Sequence, residues 1–511
     1  MSLSQVQPWH LALMATILIA ALVALAPLGL GSDYINHLAR TYIEGHLASD
    51  PALQKHYTIS FDFIPDLTMD LVIPWLSHLI GIYPAGAVTV WLAFILPPLA
   101  GVALSKQLHQ RATWISLLGF LTVFNANMEW GFVNYAASSG LALLAFALWI
   151  RTPPNRHRSV IFTGVSLFLV INHALAFLAF GFLVLAWETI CFAHGERGSK
   201  FQFLRQLTLL DFPAMALALI FLALSIHSAT DLPSIQSPLF SVQWKIQSLF
   251  TGTLFRSPPI AMLSTGALIA FFWLSIRQKW LVFAPKTGWL CAAFLVLVVV
   301  MPSAIFGIWG LHLRFTGMLI VLTAASVTPT DAFSSAARRF SASTFTALTA
   351  IAFANGAGHM ITVDRQFDDL KRVFVALPGG ATVLHVLPDR SHFTAFTKHG
   401  TALSVIERSA YVPNLFTNTS PVDVAPTMVD WHMPQASPLF VEDLQTLAER
   451  APVMSRNGYW SPGFAHAWPE RWDYLLYFKR PTDDGLSGLP VCEVAATPEI
   501  ILYKTGACAV E

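Results

Sequence analysis

The chain has 511 residues, 55% of them hydrophobic and only 12% charged, about half the charged share of an average soluble domain, so a bilayer must supply much of its solvent. Thirty Lys and Arg against 29 Asp and Glu leave a net charge of +1, which excludes the basic field that nucleic-acid binding needs. Four cysteines without a CxxC pair or a Cys/His cluster suggest neither a thiolate zinc site nor a disulfide scaffold.

The first apolar run, 11–30, is long enough to span and has no basic leader. Cleavage after Ala24-Leu25-Ala26 would leave Pro27 as the first mature residue, so the run reads as a retained signal-anchor. Further apolar runs occupy 84–104, 112–126, 131–150, 160–171, 174–192, 207–226, 258–276, 288–308, 315–327 and 342–359, for about eleven expected spans. Residues 160–192 also read as a broken pair or a re-entrant hairpin around Asn172-His173. Lys106 and Arg111, Arg151, Arg156 and Arg158, Arg197, Lys200 and Arg205, Arg277, Lys279 and Lys286, and Arg338 and Arg339 fall in alternate loops. Those loops are expected to be cytoplasmic, with the N-terminus inside. The expected fold is thus a polytopic α-helical membrane protein. Residues 1–360 form its membrane domain, with a first outer loop, 31–83, carrying two juxtamembrane helices. Residues 361–511 form an extracytoplasmic α/β or α+β domain.

The first outer loop gathers polar residues with a period. Asp33, Asn36, His37 and Arg40 are spaced three, one and three apart, which puts all four on one helix face. A second helix is expected after Pro65, with Asp66 and Asp70 one turn apart and Asp62 in the extended stretch before it. Glu129, His173, and His312 with Arg314 stand at the outer ends of other spans. Ionisable groups at such depth are costly and face a cavity or a partner. Plainer roles stand beside these: Asp33 suits a helix N-cap, Asp66 and Asp70 suit a helix first turn, and Arg314 suits an interfacial anchor.

In the C-terminal region a helix over 367–377 is expected to stop at Pro378-Gly379-Gly380, and 381–387, 472–478 and 499–503 have the β-branched and aromatic content of strands. Cys492 and Cys508 are left open as a bridge or as two free thiols.

One span, an acid a few residues later, a long first outer loop with two helices, about eleven spans and an outer C-terminal domain together resemble the GT-C superfamily of membrane glycosyltransferases. The resemblance implies a polyprenyl-phosphate-linked sugar as donor and a glycan, lipid or protein acceptor at the outer face of a bacterial inner membrane, with Asp33 in the place of the first-loop catalytic acid. Asp33-Tyr34 stands where the family often has Asp-Glu, which leaves a second acid open among Asp62, Asp66, Asp70 and Glu129. Such transfer needs a base for the acceptor hydroxyl and a cation for the departing phosphate. Asp33 is the candidate base and Arg314 the candidate cation, with Arg40 the alternative; His37, Asn36 and His312 are candidate substrate contacts. A single base acting opposite the leaving group implies inversion. A divalent metal is left open: Asp33, Asp62, Asp66, Asp70, Glu129, His37 and His173 offer suitable atoms, and no spacing forces a site. No Walker loop, GxGxxG, HExxH or GxSxG motif occurs. A transporter or flippase of lipid-linked glycans, or a non-catalytic envelope assembly protein, is the competing reading, although the internal repeats common in transporters are not seen.

Overall fold

The computed structural model describes residues 8–60, 64–228, 241–250, 252–254, 257–305, 308–389, 391, 394–417, 420–433, 438–448, 462–479 and 485–506. Among them, five helices are long and apolar enough to cross a membrane: Pro8–Leu25, Ile82–His109, Val133–Arg151, Ala174–Ala193 and Pro258–Arg277. Lys200–Asp211 and Pro213–Ser225, bent by 55°, make a sixth if taken as one span. The bend follows a π-helical turn, Leu207–Asp211.

Thr68–Ile80, Thr287–Val300 and Leu311–Ser326 are shorter apolar helices. Several expected spans differ from the sequence reading; 288–308, for one, is helical only over Thr287–Val300. Residues 112–126 form a nine-residue 3₁₀ helix, Trp114–Thr122, and the start of a four-residue helix, Ala126–Glu129. At about 2 Å per residue the former covers roughly 18 Å, short of the ~30 Å hydrocarbon core. Residues 342–359 belong to a single 40-residue helix, Ser335–Phe374, which also contains most of the helix expected over 367–377. Arg156–Asn172 and Ala174–Ala193 are separate helices that meet at His173, whose Nδ1 caps the second by accepting the Leu175 N–H at 3.1 Å.

The chain divides into two compact units. The first comprises residues 1–25, 65–68 and 88–358. Its core is a continuous aromatic and aliphatic cluster in which Phe162 packs edge-on against Trp149 and stacks with Phe180, while Phe294 meets Phe182 and Phe315. Gly140 lies where a Cβ would come within 2.5 Å of the Leu96 backbone. Only glycine lets these two helices approach so closely.

The second unit comprises residues 26–64, 69–87 and 359–511, so the first loop clusters with the C-terminal residues. Its five-stranded mixed sheet runs, in spatial order, Val491–Ala496, Ile500–Thr505, Tyr474–Phe478, Val383–Leu387 and Leu439–Phe440. The first three are antiparallel neighbours and the last two join in parallel. Val383–Leu387 and Tyr474–Phe478 are buried at every residue, the pattern of strands covered on both faces. The three expected strands are all present. A second, two-stranded pairing joins first-loop residues Tyr57–Ile59 to Val422–Val424.

Candidate active site

In the second unit Asp33 is the first residue of the helix Asp33–His46, one position past the N-cap Ser32. Ser32 has φ +47° and makes no capping hydrogen bond; its Oγ instead donates to Asp33 Oδ1 at 3.1 Å. Two C-terminal residues reach the same carboxylate oxygen, Lys398 Nζ at 3.5 Å and His399 Nε2 at 3.6 Å. Both end the short helix Ala395–His399, fixed at its start by reciprocal Thr394 and Thr397 bonds. The Asp33 side chain keeps 14% of its surface accessible, whereas that of His399 has none. Burial, with the Lys398 cation beside it, holds the His399 imidazole well below its usual range.

The other three members of the expected polar face also meet protein. Asn36 Oδ1 accepts the Phe416 N–H at 2.8 Å, and its Nδ2 donates to the Asn414 carbonyl at 2.9 Å. The His37 ring stands edge-on to Phe416. Arg40, fully buried, donates from Nε and Nη2 to the two oxygens of Asp70 at 2.6 and 2.5 Å. The fork-to-carboxylate match explains why Arg rather than Lys stands here. Glu44 closes this group: burial first, then the neighbouring Asp70 charge, pushes its carboxyl up to about 10. Arg40 therefore has a protein anion as partner.

In the first unit Asp66 lies just before the helix Thr68–Ile80, at φ +79°, a left-handed conformation that Asp tolerates better than most residues. Its carbonyl accepts from Asn134 Nδ2 at 3.0 Å, and its Oδ1 lies 3.8 Å from His173 Nε2. Asp66 and Asp70 thus belong to different clusters, although the sequence places them one turn apart. Arg314, near the start of Leu311–Ser326, brings Nη1 to 3.1 Å from the same His173 nitrogen. Its guanidinium lies over the Phe132 and Tyr135 rings at 4.1 and 5.5 Å. Arg314 also lines a small pocket with Asn125, Asn127, Met128 and Met318. His312 stacks on Trp244, with ring centres 5.7 Å apart, and Glu129 is half-buried at the end of its four-residue helix. Asp62 and Cys508 lie outside the described residues; Cys492 is disulfide-bonded.

Among the described residues no three His, Cys, Asp or Glu side chains are grouped to hold a metal ion. Sequence reasoning missed Lys398, His399 and Asn414. No spacing marks them, because their importance comes from a contact across more than 360 residues of chain with the helix Asp33–His46.

The fold is that of a polytopic membrane protein and is similar to solved structures. The similarity is to the crystal structures of ArnT from Cupriavidus metallidurans. The one bound to undecaprenyl phosphate matches with a TM-score of 0.53 at 12% identity, over 97% of this chain and 98% of that one. The apo structure matches with a TM-score of 0.52 at 14% identity, over 98% of both. No protein-family model matches the chain, and no curated protein matches it in sequence.

Proposed function

We propose that the chain is a GT-C-like glycosyltransferase that moves a sugar from a polyprenyl-phosphate carrier to a glycan, lipid or protein acceptor at the periplasmic face of a bacterial inner membrane. The observation that carries this reading is the end-to-end likeness to a structure bound to undecaprenyl phosphate, combined with an acid directly after the first span whose side chain stays partly accessible. The alternation of basic loops supports a cytoplasmic N-terminus and a periplasmic C-terminal domain.

In this mechanism Asp33 accepts the proton of the acceptor hydroxyl as that oxygen bonds to the anomeric carbon. The bond from that carbon to the phosphate oxygen breaks, its electron pair leaves with the lipid phosphate, and Arg314 opposes the charge that develops there. Attack opposite the leaving group inverts the anomeric centre.

The test incubates membrane vesicles with radiolabelled undecaprenyl-phosphate hexoses and pentoses, with an envelope fraction as acceptor. Transfer by the wild-type chain that disappears in Asp33→Asn at equal expression supports the reading. Equal transfer by both, or none by the wild type with any donor, overturns it.

A further inference from the structure

His399 closes the helix Ala395–His399 with a fully buried ring. Two carboxamide nitrogens approach its Nδ1, Asn36 Nδ2 at 3.2 Å and Asn414 Nδ2 at 3.4 Å. The orientation of the Asn36 amide is fixed independently, because its oxygen accepts from the Phe416 N–H and its nitrogen donates to the Asn414 carbonyl. Amide nitrogens only donate, so Nδ1 of His399 is an acceptor. In the neutral ring the proton is then on Nε2.

Nε2 lies 3.6 Å from Asp33 Oδ1 and makes no hydrogen bond among the described residues. A buried donor without an acceptor is costly, and a contraction of a few tenths of an ångström satisfies it. The groups facing the ring are Asp33, Lys398, His385 and His37; of these only Asp33 offers a carboxylate. Every described donor to Asp33, from Ser32, Lys398 and His399, falls on Oδ1. Oδ2 receives none.

We propose that His399 is the positioning residue of Asp33: its Nε2–H, with Lys398 and Ser32, holds Oδ1 so that Oδ2 is presented as the proton acceptor. The proposal rests on the reading of Asp33 as base. It assigns the C-terminal segment 394–399 a part in catalysis, through the ring of one histidine braced by Asn36 and Asn414. A carboxylate free to rotate would lose its alignment with the acceptor hydroxyl, and misplacements of this size cost about 100-fold in rate.

Two measurements on the full-length protein test it. In the first, ¹⁵N-histidine-labelled protein is examined by NMR, with the His399 signal identified as the one missing from His399→Gln. The Nε2–H tautomer, with a shift on Asp33→Asn, is expected; the Nδ1–H tautomer, or no response to Asp33→Asn, overturns the contact. The second compares turnover of the undecaprenyl-phosphate sugars. His399→Leu is expected to lower kcat by about 100-fold with little change in KM, as is His399→Asn, which keeps only the Nδ1-like acceptor. His399→Gln, which keeps a donor near the Nε2 position, is expected to recover most of the rate. Unchanged turnover in His399→Leu, or equal losses in Leu and Gln variants, sinks the positioning role. A wild-type chain that consumes no donor removes the role of Asp33 and with it that of His399, while the NMR tautomer still reports whether the contact exists.

Discussion

Arg40 and Asp70, 30 positions apart, form a fully buried two-pronged ion pair that ties the helix Asp33–His46 to the helix Thr68–Ile80. Removing one partner strands a charge in an environment that cannot solvate it. Arg40→Ala or Asp70→Ala is therefore expected to destabilise the second unit by about 3–5 kcal/mol, whereas the double replacement Arg40→Met with Asp70→Leu is close to neutral. Thermal unfolding of the four proteins in one detergent checks this; a double variant as unstable as the sum of the singles defeats it.

Glu44 gives this cluster a pH dependence. Its carboxyl is raised in the folded protein, by burial and by Asp70, so the folded state holds a proton that the unfolded state releases. Its contribution is complete at low pH and declines from the ordinary carboxyl range upward, until the folded group titrates at about 10. Glu44→Gln, neutral at every pH, is expected to flatten the fall in melting temperature between pH 5 and 9. Identical pH profiles for the two proteins would remove Glu44 from the account.

Arg314 combines a rigid fork, the rings of Phe132 and Tyr135 beneath it, and an edge on a pocket. On its proposed role of meeting charge on the leaving phosphate, its replacement by Ala is expected to lower kcat by about 100- to 1,000-fold. Lys is a poor substitute because an ammonium reproduces neither the fork nor the stacking. Full activity of Arg314→Ala in vesicles would reduce this residue to an anchor.

A second buried charge cluster lies in the first unit, where Arg158 donates to Glu188 at 3.2 Å and to Asp211 at 2.6 Å, while Arg197, Trp149 and Gln206 also donate to Glu188. Asp211 ends the π-helical turn that bends the chain, so these contacts fix the bend. Arg158→Met is expected to cost about 3–5 kcal/mol through the two carboxylates it leaves behind, and Arg158→Met with Asp211→Leu less. Folded yield after detergent extraction and melting temperature report both.

Membrane character, the two first-loop helices, the polar face of the first and three strands of the sheet were legible in the residues alone. Each depends on near neighbours in the chain: apolar runs of bilayer length, a period of 3.6, or β-branched clusters. Local pattern was less informative for 112–126, where apolar composition alone does not distinguish a spanning α-helix from a short 3₁₀ turn, and for Val491–Ala496, whose sequence is not rich in strand formers. Which groups the polar side chains meet became visible in the folded chain. Arg40 could be read from its spacing as facing the site, yet its partner is Asp70; Asp66 and Asp70, neighbours in sequence, join different clusters; and Lys398 and His399 carry no mark until the chain folds them against Asp33. Periodicity fixes the face a side chain shares with its own helix, but the identity of what covers that face is a property of residues hundreds of positions away, set by packing rather than by local preference.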